Sequence, residues 1–131
     1  MKGAPAREVS MQLTPDVSSL GTGRRFVART LREWDIPEAR IESVMLVANE
    51  LVANAIVHAQ SAPVLSLEAR GADLLVRVED ESPSLPIARQ PEVYDEQGRG
   101  LMLVEALADR WGCDPTTTGK TIWVAFADAF A

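Results

Sequence analysis

The run from Glu42 to Ala59, ESVMLVANELVANAIVHA, constrains this chain more than any other stretch. Its apolar residues recur at helical spacing, and Glu50 and Asn54 interrupt them. Four residues is about one helical turn, so the carboxylate and the amide stack on one face. At about 100° per residue, Ile41, Val44, Ala48, Leu51, Val52 and Ala55 form one broad apolar face. Ser43, Glu50 and Asn54 lie on the opposite side, but Leu46, Val47, Ala53 and Val57 lie among them. Polar residues at i and i+4 usually mark the solvated side of an amphipathic helix. A helix that is apolar nearly all round is instead covered on most sides, which puts Glu50 and Asn54 against a cavity. A carboxylate is seldom kept in such a place without a partner, a metal or a task. The pair suits three chemistries: holding a divalent metal, polarising a water, or taking a proton from a hydroxyl.

The chain has 131 residues, enough for one domain around one core, and 47% of them are hydrophobic. No apolar run approaches the roughly 20 residues of a membrane span. The start, MKGAPAREVS, lacks the apolar stretch of a signal peptide, so a cytoplasmic protein is expected. Cys113 is the only cysteine, which excludes an internal disulfide and suits a reducing compartment. A net charge of −6 with no basic stripe argues against direct contact with nucleic acid. One histidine and one cysteine do not make a structural zinc site.

Residues 1–6 read as a loose tail, and Val9–Leu13 alternates as a short strand. Thr14-Pro15-Asp16 has the composition of a helix start, with Thr14 as cap and Pro15 in the first turn. That helix is expected to run to about Trp34, where Asp35-Ile36-Pro37 breaks it and opens the second, ending near His58. Strands are expected at Val64–Glu68 and Leu74–Asp80, joined by a turn at Gly71-Ala72-Asp73. Residues 81–99 hold three prolines and no periodicity. Segments of that length in a small domain are usually functional lids or disordered. A third helix is expected from Gly100 to Arg110, then strands at Trp111–Thr116 and Thr121–Ala127. Helices and strands are segregated, so the expected fold is α+β, with helices on one face of a mixed, mostly antiparallel sheet.

Three further places carry chemistry. Asp80 ends an apolar strand. It reads either as a turn residue or as an acceptor for an amino group such as that of a purine. Gly98-Arg99-Gly100-Leu101 opens the third helix. It is either a flexible loop exit or a place where free N–H groups meet a phosphate. Gly119-Lys120-Thr121 is not a P-loop: Asp114 stands where the leading glycine belongs, and Thr121–Phe126 has the pattern of a strand rather than a helix. Gly119-Lys120 reads as a hairpin turn, with the Thr121 hydroxyl at a strand start. His58, near a helix C-terminus, reads either as a contact for a bound phosphate or, better, as a capping residue.

Glu50-x-x-x-Asn54, Asp80, Gly98-x-Gly100 and Thr121, in this order, resemble the ATP-binding boxes of the GHKL superfamily (the Bergerat fold), which includes histidine kinases, gyrase B, Hsp90 and MutL. The resemblance spans about residues 9–127. More narrowly, ELVANAIVHA, VEDESPSLP, GRGLMLVEALADRWG and GKTIWVAF look like the small actinobacterial ATP-binding proteins related to anti-sigma factor serine/threonine kinases. The resemblance implies one histidine kinase-like ATPase domain over 1–131, with a two-layer α/β sandwich and an ATP lid at 82–98. It implies ATP and Mg²⁺ as cofactors. Glu50 would be the general base, and Asn54 would bind Mg²⁺ through its side-chain oxygen. Asp80 would accept from the adenine amino group, with Thr121 nearby. Ser82 and Pro86 would lie at the lid root, and Gly98, Arg99, Gly100 and Leu101 would shape the phosphate end. The implied partners are a sigma factor, a STAS-domain anti-anti-sigma factor that takes the phosphate, or both, with a possible homodimer. The wider superfamily has Asp-x-Gly-x-Gly after the strand, where this chain has Asp80-Glu81-Ser82-Pro83-Ser84, and its phosphate box has two glycines rather than three. Those departures keep a second reading open: a catalytically weak or inactive module that regulates by sequestering a protein.

Overall fold

The computed structural model describes residues 7–59, 62–81 and 99–130. Among the described residues, eight elements run in the order β1 (Arg7–Gln12), α1 (Ser19–Glu33), α2 (Glu38–Ala59), β2 (Val64–Arg70), β3 (Asp73–Asp80), α3 (Arg99–Leu107), β4 (Arg110–Pro115) and β5 (Lys120–Phe126). The strands form one five-stranded sheet in the order β1-β2-β3-β5-β4, and every neighbouring pair is antiparallel. The sheet, expected to be mostly antiparallel, is antiparallel throughout the described residues. The chain leaves the sheet centre after β3, and α3 carries it to the edge strand β4, so that β5 returns beside β3.

Alternation gives the sheet two unlike faces. Leu65, Leu67, Ala69, Leu74, Val76, Val78, Ile122, Val124 and Phe126 are buried on one of them, under the helices. Phe26, Val27 and Leu31 from α1, and Val44, Val47, Leu51 and Val52 from α2, complete the core. The other face is polar. Ser10 and Ser66 hydroxyls meet at 2.9 Å, and Arg77 pairs with both Glu8 and Glu68. The Arg77 guanidinium is the first cause that holds the Glu68 carboxyl below its usual range. A layer of helices on one side of a sheet, with charge on the other, is the expected α+β arrangement.

Helix boundaries depart from the sequence expectation in two places. The first helix begins at Ser19 rather than near Thr14. Asp16 is the reason: its carboxylate accepts from the Ser18 N–H at 3.0 Å, and its carbonyl accepts from the Ser19 N–H at 3.1 Å. The polar side chains that looked like a cap instead form the turn before the helix. The third helix ends at Leu107 rather than Arg110. There Asp109 turns away, donating its N–H to Ala125 and accepting from the Ala127 N–H with its carboxylate, at 3.0 and 2.7 Å. The break at Asp35-Ile36-Pro37 stands where expected. Asp35 adopts φ 61°, and the N–H groups of Asp35 and Ile36 reach back to Arg32 and Leu31. That is a Schellman closure, with Ile36 and Leu31 buried as its apolar contact. Among the described residues, no helix is long and apolar enough to cross a membrane.

Candidate functional site

Helix α2 packs against both α1 and α3 and lies over β3. Its buried face is Ile41, Val44, Val47, Ala48, Leu51, Val52, Ala55 and Ile56. Glu50 and Asn54 lie beside that face and are half-buried, one turn apart. The flank they occupy is more open than the sequence suggested, because Leu46 and Val57 are 52% and 54% exposed. A groove of about 330 Å³ runs along α2, lined by Arg24, Glu42, Met45, Leu46 and Asn49, and includes neither Glu50 nor Asn54.

Asp80 is the last residue of β3 and only 3% exposed. Opposite it in the sheet register stands Lys120, the first residue of β5, which is 2% exposed. The Lys120 Nζ lies 3.0 Å from each Asp80 carboxylate oxygen. Thr121 is the register partner of Glu79 instead. Successive side chains of a strand point to opposite faces, so Thr121 and Asp80 do not share one. The structure thus brings Lys120, not Thr121, to Asp80.

Lys120 was missed by sequence reasoning because Gly119-Lys120 looked like a turn. Gly119 does close the β4–β5 turn: its N–H donates to the Thr116 hydroxyl and its carbonyl accepts from the Thr116 N–H, both at 2.9 Å. Lys120 already belongs to the strand. The signal lay in the alternation, since Lys120 shares its face with Ile122, Val124 and Phe126.

Gly119 packs against the backbone that carries Asp80. A Cβ there would stand 2.0 Å from the Asp80 carbonyl oxygen and 2.6 Å from the Glu81 Cα. Gly119→Ala is therefore expected to cost about 1–3 kcal/mol, as overpacking does against groups that cannot rotate away. Urea unfolding would measure it, and a midpoint equal to wild type would show that the turn gives way freely.

Arg99 and Gly100 open α3. Ser82, Pro86, Gly98 and the expected lid at 82–98 lie outside the described residues. The backbone of Leu101 is helical and that of His58 lies in the last turns of α2.

A family model of the histidine kinase-like ATPase domain matches residues 13–126. The chain belongs to that family. The matched range takes in α2, Asp80, the start of α3 and Lys120. Membership in an ATPase family implies ATP as the nucleotide. A solved structure of the RsbU and RsbW domains of Rv1364c from Mycobacterium tuberculosis has the same fold, with a TM-score of 0.72 at 18% identity. The alignment covers 95% of this chain and 33% of that one, so the chain spans about a third of its neighbour's length. No curated protein matches the chain.

Proposed function

We infer that this ATPase-family domain is an anti-sigma factor serine/threonine kinase that transfers phosphate from Mg-ATP to a STAS-type anti-anti-sigma partner. The observation that carries this reading is the Glu50/Asn54 pair, half-buried and one turn apart on a helix that packs over the strand ending in Asp80. The RsbW-containing neighbour supports it at the level of the fold.

The residues present fit magnesium. No group of three or more His, Cys, Asp or Glu side chains able to hold a metal occurs among the described residues. A magnesium ion would be held by the Asn54 amide oxygen together with the phosphates of the nucleotide, as Mg²⁺ commonly is. When bound, it neutralises charge on the transferring phosphoryl group. Glu50 takes the proton of the attacking serine or threonine hydroxyl. Asp80 accepts from the adenine amino group. Gly98, Arg99 and Gly100 meet the phosphates, with main-chain N–H groups at the start of α3. Thr121, which lies on the opposite sheet face from Asp80, takes no part in holding the base.

Calorimetry with Mg-ATP tests the site. Wild type is expected to bind in the micromolar range, and Asn54→Ala to weaken binding at least tenfold by removing the cation's protein ligand. Equal binding by the variant counts against the assigned role of Asn54. Labelled ATP incubated with STAS-domain proteins tests the transfer.

A second reading is a module that sequesters its partner without catalysis. One structural observation favours it: the carboxylate meant for adenine already holds a buried ammonium. Undetectable Mg-ATP binding together with tight binding of a protein partner would select this reading.

A further inference from the structure

Helix α1 carries four arginines against one glutamate, in a chain whose net charge is −6. Arg25, Arg29 and Arg32 follow one another at spacings of four and three residues, so they line one outward stripe. All three are exposed. With Ala28 and Glu33 they line a shallow hollow of about 500 Å³ on the outer side of the helix. Arg32 is paired with Glu38 at 2.8 Å. Arg25 reaches the Thr22 hydroxyl at 3.5 Å, and neither Arg25 nor Arg29 meets a carboxylate among the described residues. A solvated helix face ordinarily mixes signs and pairs them across one turn. This face sets like charges a turn apart, which costs stability on its own.

Beside the stripe lies the groove between α1 and α2. Arg24, the residue before Arg25, lines it and is held to Asn49 of α2 at 3.1 Å. Met45 and the exposed Leu46 give the groove its apolar surface. Glu42 also lines it, so acids of an occupant belong on the α1 side. A cationic rim along an apolar trough complements a helix that carries acids beside an apolar stripe.

The charges choose among occupants. A second copy docked on this face about a two-fold axis would bring the same arginines toward one another. Nucleic acid would gain from the stripe but meet net negative charge on the rest of the molecule. From Arg25 to Arg32 the stripe also spans only about 10 Å, at 1.5 Å per residue. An acidic protein segment is attracted by the arginines and fills the groove as well.

We propose that the outer face of α1 and the groove beside it form a docking surface for an acidic amphipathic helix of a partner protein. Its acids lie on Arg25 and Arg29, and its apolar stripe lies against Met45 and Leu46. Neither hollow is lined by Glu50, Asn54 or Asp80, so the docking stands apart from the nucleotide reading.

Fluorescence anisotropy on the full chain, without nucleotide, tests the surface. The probe is a labelled peptide of about five helical turns, with leucines at heptad spacing and glutamates beside them. It is expected to bind saturably, and the same peptide with lysine for glutamate at least about tenfold more weakly. Arg25→Glu/Arg29→Glu is expected to weaken the acidic peptide at least about tenfold, and raised salt to weaken it in wild type. Leu46→Ser is expected to weaken it about tenfold by removing apolar contact without changing charge. These side chains are exposed, so both variants are expected to melt as wild type does. No binding of the acidic peptide, or equal binding by the charge-reversed variant, overturns the docking surface. Equal binding by Leu46→Ser overturns the part given to the groove. A labelled DNA duplex that binds more tightly than the peptide, or a wild-type dimer that Arg25→Glu/Arg29→Glu dissolves, assigns the face to another occupant and overturns the proposal. ATP binding is read separately, and none of these results bears on it.

Discussion

Asp80→Leu is expected to lower stability by about 3–5 kcal/mol, because it strands the Lys120 ammonium in the interior. The cost comes from solvation. Lys120 is 2% exposed, so its charge is shut off from water and rests on the Asp80 carboxylate. For a domain of this size the melting temperature is expected to fall by roughly 10–20 °C. The double variant Asp80→Leu/Lys120→Met is expected to recover most of the loss. It removes both charges and leaves apolar side chains of similar volume, the exchange that often proves neutral or favourable for buried pairs. Thermal and urea unfolding of wild type and the two variants measures both effects. If the single variant melts within about 3 °C of wild type, water reaches the pair and its burial is not what holds it.

Glu50→Gln is expected to slow phosphoryl transfer about 100- to 10,000-fold, the usual contribution of a positioned general base. The substitution keeps the shape of the side chain and removes its basicity. Glu50 is half-buried and stands outside the apolar face of α2, so folding is expected to change by less than about 0.5 kcal/mol. ATP affinity is expected to stay within about threefold, because in the proposed role the base would act on the hydroxyl of the acceptor rather than on the nucleotide. Single-turnover transfer of labelled phosphate to a STAS partner, run beside an ATP titration, separates the two. Loss of rate together with loss of ATP binding would move Glu50 from proton transfer to nucleotide binding. An unchanged rate would remove it from the mechanism.

The helix that carries Glu50 and Asn54 was legible because helical periodicity is a long-range signal, repeated through the 22 residues of α2. The segregation of helices and strands gave the α+β layering for the same reason. Boundaries were less legible. Thr14 and Asp16 have the side chains of a helix cap, but the backbone of Asp16 had a competing use in the turn, and composition does not rank the two. The candidate site was legible where a residue type stood alone in an apolar run, as Asp80 does at the end of β3. It was illegible at Lys120. A lysine after a glycine looks like a turn residue, and only the pairing of β5 with β3 reveals which carboxylate it faces.

The helices cover one side of the sheet, while the outer side is a lattice of serines, acids and arginines. Interior volume and the proposed catalytic pair therefore meet on one helix. Val47, Leu51 and Ala55 fill the core from α2, and Glu50 and Asn54 sit between them on the next faces of the same cylinder. A methyl group gained or lost beneath α2 is expected to shift the helix that carries the carboxylate. Mutational tolerance in this domain is thus expected to be unevenly distributed. Changes under α1 tune thermal endurance, whereas those under α2 trade endurance against turnover.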